Sequence, residues 1–233
     1  MKLLEMPFTT YYHKFVVIEA DVLTERCSAV LKVKETDCYA LCSSYCSKAG
    51  ELCFHILSIG SDWNDCSRGL RYKKMLGEFA MHEVIDCEAR VAEDQDAYLH
   101  KNDPYQEKED DETDDGVLKC RLDARLDDIR DPYRPDAVEV GILDENSLYT
   151  YHMRITGVKG LFAVGILLET PEDKSIDAGE KIYALAYSGS TGNHLLAVFA
   201  GDKFTDDEQK VMDYLLKMSD KMGLDFNGVS IKN

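Results

Sequence analysis

The stretch Glu35–Cys46, ETDCYALCSSYC, places three cysteines at intervals of four, and its reading decides the architecture of the N-terminal half. Cys38, Leu41, Cys42, Tyr45, Cys46 and Ala49 follow the steps i, i+3, i+4, i+7, i+8 and i+11, which is the apolar face of one helix. Thr36 or Asp37 can cap its start and Gly50 can end it. The spacing therefore predicts a helix whose cysteines fill a core, since a free cysteine packs as a small hydrophobe.

Strands are expected at 14–20 (KFVVIEA), 28–33 (SAVLKV), 52–59 (LCFHILSI) and 84–91 (VIDCEARV). The third is almost wholly apolar, as a strand covered on both faces is. In the last, Ile85, Cys87, Ala89 and Val91 share one face and Asp86, Glu88 and Arg90 the other. A second helix is expected over about 66–79, on the stripe Tyr72, Met75, Leu76 and Phe79. These elements compose a sheet backed by two helices.

The C-terminal half reads mostly as strand: 138–143, 148–155, 161–169, 181–187 and 195–200. Reversals fall at DENS, GVKG and SGSTGN, whose small and polar residues suit turns. Five short strands joined mainly by tight turns predict an antiparallel meander curling toward a small barrel. A final helix follows, with Thr205 and Glu208 as capping box, Val211, Met212, Leu215, Leu216 and Met222 as its apolar face, and Gly223 as its stop. The fold class expected is α+β. The domains expected are 1–92, an acidic linker or long loop at 93–116, and 117–233.

The linker expectation comes from charge. Glu93–Asp115 holds eleven acids against two lysines, nine of the seventeen net negative charges of the 233-residue chain. Such a run self-repels and has little to bury. A net charge of −17 argues against a surface that tracks nucleic-acid phosphate or an anionic membrane, and permits a basic protein partner. The start, MKLLEMPFTT, is too short and too charged for a signal peptide, and no stretch approaches the length of a membrane span. A cytoplasmic location, with the eight cysteines reduced, is the expectation.

Recognisable chemistry is sparse. Tight zinc motifs start from C-x2-C pairs, and this chain has none, although Cys53 and His55 are able to add ligands to the cysteine stripe. Cys53–His55 and His82–Cys87 are the nearest cysteine–histidine pairs, neither within a nucleophile motif. His55 lies in an apolar strand and reads as a core histidine. DDETDDG lacks the spacing of a calcium-binding loop, and SGSTGNH lacks the lysine of a phosphate loop. No cofactor or metal is expected. A basic island, RGLRYKK, carries Arg68, Arg71, Lys73 and Lys74; it is either a solvated helix face or an anion site able to dock the acidic linker.

Residues 125–184 contain Asp128, Arg130, Pro132, Pro135, Asp136, Val138 and Val140, then Gly165, Leu167, Leu168 and Pro171, then Gly179 and Glu180. This pattern resembles a segment of uncharacterised bacterial proteins, a domain of unknown function. The resemblance implies a strand-rich fold and a bacterial source, and it carries no activity. Glu169 and Thr170 stand where the pattern leads one to expect an Asn-Glu pair. Arg130, Tyr133, Arg134 and Asp136 are the candidate binding residues here, as a polar clasp or the lining of a groove.

Three functional expectations follow. The first is a non-catalytic protein-binding module, an acidic antagonist of a basic partner. The second is an enzyme with a Cys/His or carboxylate site assembled by the fold. The third is a cysteine-based metal protein. Exposed meander strands also allow a homodimer.

Overall fold

The computed structural model describes residues 1–21, 23–27, 32–68, 76–93, 113–144, 147–171, 176–189 and 192–222. The chain divides into two compact units, Met1–Glu112 with Pro132–Pro135, and Thr113–Asp131 with Asp136–Asn233. The fold is α+β, with one five-stranded antiparallel sheet, one closed five-stranded barrel and a C-terminal helix.

The first unit opens with the short helix α1 (Phe8–Tyr11) and is built on the strands β1 (Phe15–Glu19), β2 (Tyr39–Cys46), β3 (Leu52–Gly60), β4 (Gly77–Ala80) and β5 (Ala89–Val91), in the order β4-β3-β2-β1-β5. The cysteine stretch is thus a strand, which overturns the helix expected for it. The reason is arithmetic. An interval of four is even, so Cys38, Cys42 and Cys46 share one face of a strand as readily as one face of a helix. The residues at i+3 decide. Leu41 belongs to the cluster of Phe15, Val17 and Cys66, whereas Cys42 and Cys46 pack in the larger core with Val16, Ile18 and Phe54. These are opposite faces of one sheet, and β2 is buried almost throughout because it is the middle strand.

The second expected helix is also corrected. The helix α3 spans only Trp63–Arg68, and Phe79, placed on its stripe, lies instead in β4 with its side chain in the core. Of 84–91 only Ala89–Val91 is strand, since Met81–Val84 forms the short helix α4. Lys32 and Val33 are in no regular element, and the rest of the expected strand at 28–33 lies outside the described residues. The helix α2 (Leu23–Cys27) runs against β4, and the glycine at Gly77 makes that approach workable. A Cβ built there would lie 2.5 Å from the Arg26 carbonyl oxygen.

In the second unit all five expected strands are present: β6 (Ala137–Asp144), β7 (Ser147–Lys159), β8 (Phe162–Leu167), β9 (Lys181–Gly189) and β10 (Gly192–Ala200). Successive strands pair antiparallel, and β10 closes the barrel on β6 through a parallel contact of Leu196 with Gly141. Inward-facing Val138, Val140, Met153, Ile155, Ile182 and Ala184 form its core. The final helix, Asp206–Met222, begins as expected: Thr205 Oγ1 accepts from Glu208 N at 3.3 Å while Glu208 Oε2 accepts from Thr205 N at 2.8 Å. Met212 is buried against Phe162, Tyr183 and Phe199, but Val211, expected on the same face, is 49% exposed. Gly223 lies outside the described residues.

Candidate functional site

The first unit carries a cavity of about 410 Å³ lined by Glu25, Arg26, Glu78, Ala80, His82 and Glu83. Its walls are α2, β4 and α4. Glu83 Oε2 caps α4 by accepting from Ala80 N at 2.9 Å, and the same side chain forms an ion pair with Arg26. Among the described residues, three carboxylates and one guanidinium line the cavity, a surplus of negative charge.

Glu78 is the residue through which the cavity meets the interior. Strand register sets it opposite His55, and His55 opposite Ser43, in one row across β4, β3 and β2. Tyr45, two residues along β2 on the same face, reaches diagonally, as cross-strand aromatics do. Its ring stacks on the His55 imidazole at 4.0 Å between centroids, and its hydroxyl donates to Glu78 Oε2 at 2.5 Å. His55 Nε2 lies 3.3 Å from the same oxygen, with the imidazole sealed in the sheet and the Glu78 side chain 42% exposed. Within this largely apolar sheet, Tyr45, His55 and Glu78 thus form a polar group in mutual contact.

The electrostatics follow from the geometry. The His55 contact is the main cause that holds the Glu78 carboxyl below its ordinary range. Partial burial opposes this, and Tyr45 and Arg26 add to it. Burial, and after it the hydrogen bond to a carboxylate, pushes the Tyr45 phenol up, so it stays a donor at any ordinary pH. Glu78 is thus an ionised carboxylate, oriented from the inside and presented to a cavity.

The thiols behave differently. Burial raises Cys27 to about 11 and Cys120 to about 12, and raises Cys42 well above its usual value. Cys38 and Cys87 are half-buried and also raised, first by burial and then by nearby acids, Glu19 and Asp21 among them. Protonated thiols are poor nucleophiles and poor metal ligands. Among the described residues no group of three or more His, Cys, Asp and Glu side chains is placed to hold a metal ion.

The residues singled out near the barrel do not form one site. Asp136 is buried and takes a bidentate pair from Arg121, Nε to Oδ1 at 2.8 Å and Nη2 to Oδ2 at 2.6 Å. Arg130 is buried too; it donates to the Cys120 carbonyl and lies 3.4 Å from Asp127. Burial lowers its pKa while Asp127 and Asp136 act against that. Both arginines hold the loops that lead into β6. Arg134 instead faces Glu51 at 3.6 Å in the first unit, where Tyr133, 42% exposed, offers its carbonyl to Leu52 N at 2.9 Å. Arg68 ends α3, and Arg71, Lys73 and Lys74 lie outside the described residues, as does most of the acidic run.

Sequence reasoning missed Glu78 and Arg121. Glu78 sits in a four-residue strand that the helical stripe absorbed. For Arg121, the signal was its place in the last turn of a helix capped by Asp114.

Comparison of the chain with protein-family models, with curated proteins and with solved structures finds no match. The resemblance of 125–184 to a bacterial domain of unknown function thus rests on its residues alone. Among the described residues no helix is long and apolar enough to cross a membrane.

Proposed function

We propose that this chain is a non-catalytic binding protein for a basic protein partner in a bacterial cytoplasm, and that it takes a lysine or arginine side chain of that partner into the Glu78 cavity. The observation that carries the reading is the convergence of Glu25, Glu78 and Glu83 on one cavity, with Arg26 as the one guanidinium among the described residues that line it. A volume of about 410 Å³ accommodates one long cationic side chain. The charge of −17 supports the same reading, because an acidic surface steers a basic partner and speeds its association. Burial raises the Cys87 thiol, one member of the His82–Cys87 pair, which weighs against that cysteine as a nucleophile.

The test is fluorescence anisotropy of a labelled arginine- and lysine-containing peptide against the full chain over rising salt. Saturable binding that weakens with salt, and that the double variant Glu25→Gln, Glu83→Gln loses, supports the reading. Equal binding by that variant would mean only a general attraction to an acidic protein, and would sink it.

A further inference from the structure

The row Tyr45–Glu78–His55 contains a feature that a simple cation pocket does not need. A carboxylate able to hold a cation works equally well with neutral, non-titrating partners behind it. Here the partner is an imidazole, the side chain whose ordinary charge change falls nearest neutral pH. It is buried, and its Nε2 is 3.3 Å from Glu78 Oε2, on one of the carboxylates that line the cavity.

We infer that His55 is a proton-linked regulator of the Glu78 cavity, so that the site grips a cationic side chain in neutral solution and releases it in acid. This rests on the function proposed above. The balance is one proton from water, added to the imidazole, and one cationic group returned to water. A proton on His55 places a positive charge beside Glu78 from the interior, and the cationic ligand places one from the cavity. The two charges compete for one carboxylate, and linkage requires each to weaken the other.

The groups facing His55 favour such competition. From β2, Tyr45 covers one ring face, and its phenol stays protonated, so it supplies no charge. From β4, Glu78 sets a carboxylate against the imidazole. Along β3, Cys53 shares its face and contacts Tyr45. Beyond Glu78 lies Arg26, which is paired with Glu83 and adds a positive charge near the Glu78 carboxylate. His82 also lines the cavity and must be separated from His55 in any experiment.

The experiment is a nuclear magnetic resonance titration of the histidine rings in the full chain, with and without acetyl-arginine amide, between about pH 8 and about pH 5. Acetyl-glutamine amide serves as the neutral control. The expected result is that arginine amide lowers the midpoint of His55. Its affinity should then fall as the pH drops below that midpoint, by up to about tenfold per pH unit in the limit of strict competition. The dependence should persist in His82→Gln and vanish in His55→Gln. Binding of arginine amide that is constant across the titration of His55, or a dependence that disappears with His82→Gln, overturns the inference while leaving the proposed function standing. If the amide fails to bind while the peptide still binds through Glu25 and Glu83, this inference falls and the broader reading survives. Should His55→Gln not fold, the midpoint shift in the unmodified chain decides alone.

Discussion

His55 Nε2 and Glu78 Oε2 face each other at 3.3 Å across the β3–β4 pair, one side chain sealed and the other open to a cavity. That asymmetry makes Glu78 a stability determinant as well as a site residue. Its carboxyl is depressed from its ordinary value near 4.5 by His55 before any other cause. A depressed carboxyl contributes stability that is fully present above the unfolded value and is lost as pH falls through the folded one. Glu78→Gln should therefore be less stable than the native chain at pH 7, and the gap should close in acid below the folded value. Urea unfolding followed by the fluorescence of Trp63, the single tryptophan and a member of the same unit, measures it. A gap equal at both pH values would contradict the coupling.

The buried pair Arg121–Asp136 gives a second prediction. Arg121 is 4% exposed, so Asp136→Asn takes from a buried guanidinium the carboxylate that holds it through two hydrogen bonds. The expected loss is about 3 kcal/mol or more. The double variant Arg121→Met, Asp136→Leu should recover much of it, because removing both charges also removes the desolvation they carry. Far-UV circular dichroism during urea unfolding reads both. A single variant as stable as the native chain would mean that solvent reaches the pair.

Thiol reactivity separates passive cysteines from chemical ones. Of the eight, Cys27, Cys42, Cys46, Cys53, Cys66 and Cys120 are buried, and Cys38 and Cys87 are half-buried. An aromatic disulfide reagent on the native chain should modify Cys38 and Cys87 first and slowly, and all eight rapidly in urea. Peptide mapping identifies which react. Fast labelling of Cys53 beside His55 would bring back the Cys/His reading.

The two halves of the chain were unequally legible, for a physical reason. In the barrel, Tyr149, Tyr151, Met153 and Ile155 alternate strictly with polar neighbours, a period of two that no helix imitates. The final helix declared itself through a capping box that uses side chains local in sequence. In the first unit β2 is central and covered on both faces, so its pattern lacks the polar alternation that would have marked it as strand. The cavity was illegible because it depends on register: Glu78, His55 and Tyr45 are 23 and 10 residues apart along the chain and meet only once β2, β3 and β4 align. His55 was correctly expected in the core, but the sequence offered no clue that its neighbour would be a carboxylate from a strand of four residues.

Gly77 ties the fold to the site and yields the last prediction. Its missing side chain lets the Arg26 carbonyl approach β4, and a Cβ there would lie 2.5 Å from that oxygen and 3.4 Å from Ile56 Cδ1. The nearest obstacle is backbone, which cannot rotate aside, so Gly77→Ala must push α2 away from the strand. Overpacking of this kind costs about 1–3 kcal/mol. The displaced helix carries Glu25 and Arg26, two residues lining the cavity, while Tyr45, His55 and Glu78 remain on strands whose register the change does not alter. Gly77→Ala should accordingly weaken binding of the cationic peptide several-fold while the His55 resonance continues to respond to pH. Glu78→Gln should abolish both the binding and the coupling. Unchanged stability and unchanged peptide affinity in Gly77→Ala, measured by urea unfolding and anisotropy on the same preparation, would mean that α2 does not hold the cavity's acidic wall against β4.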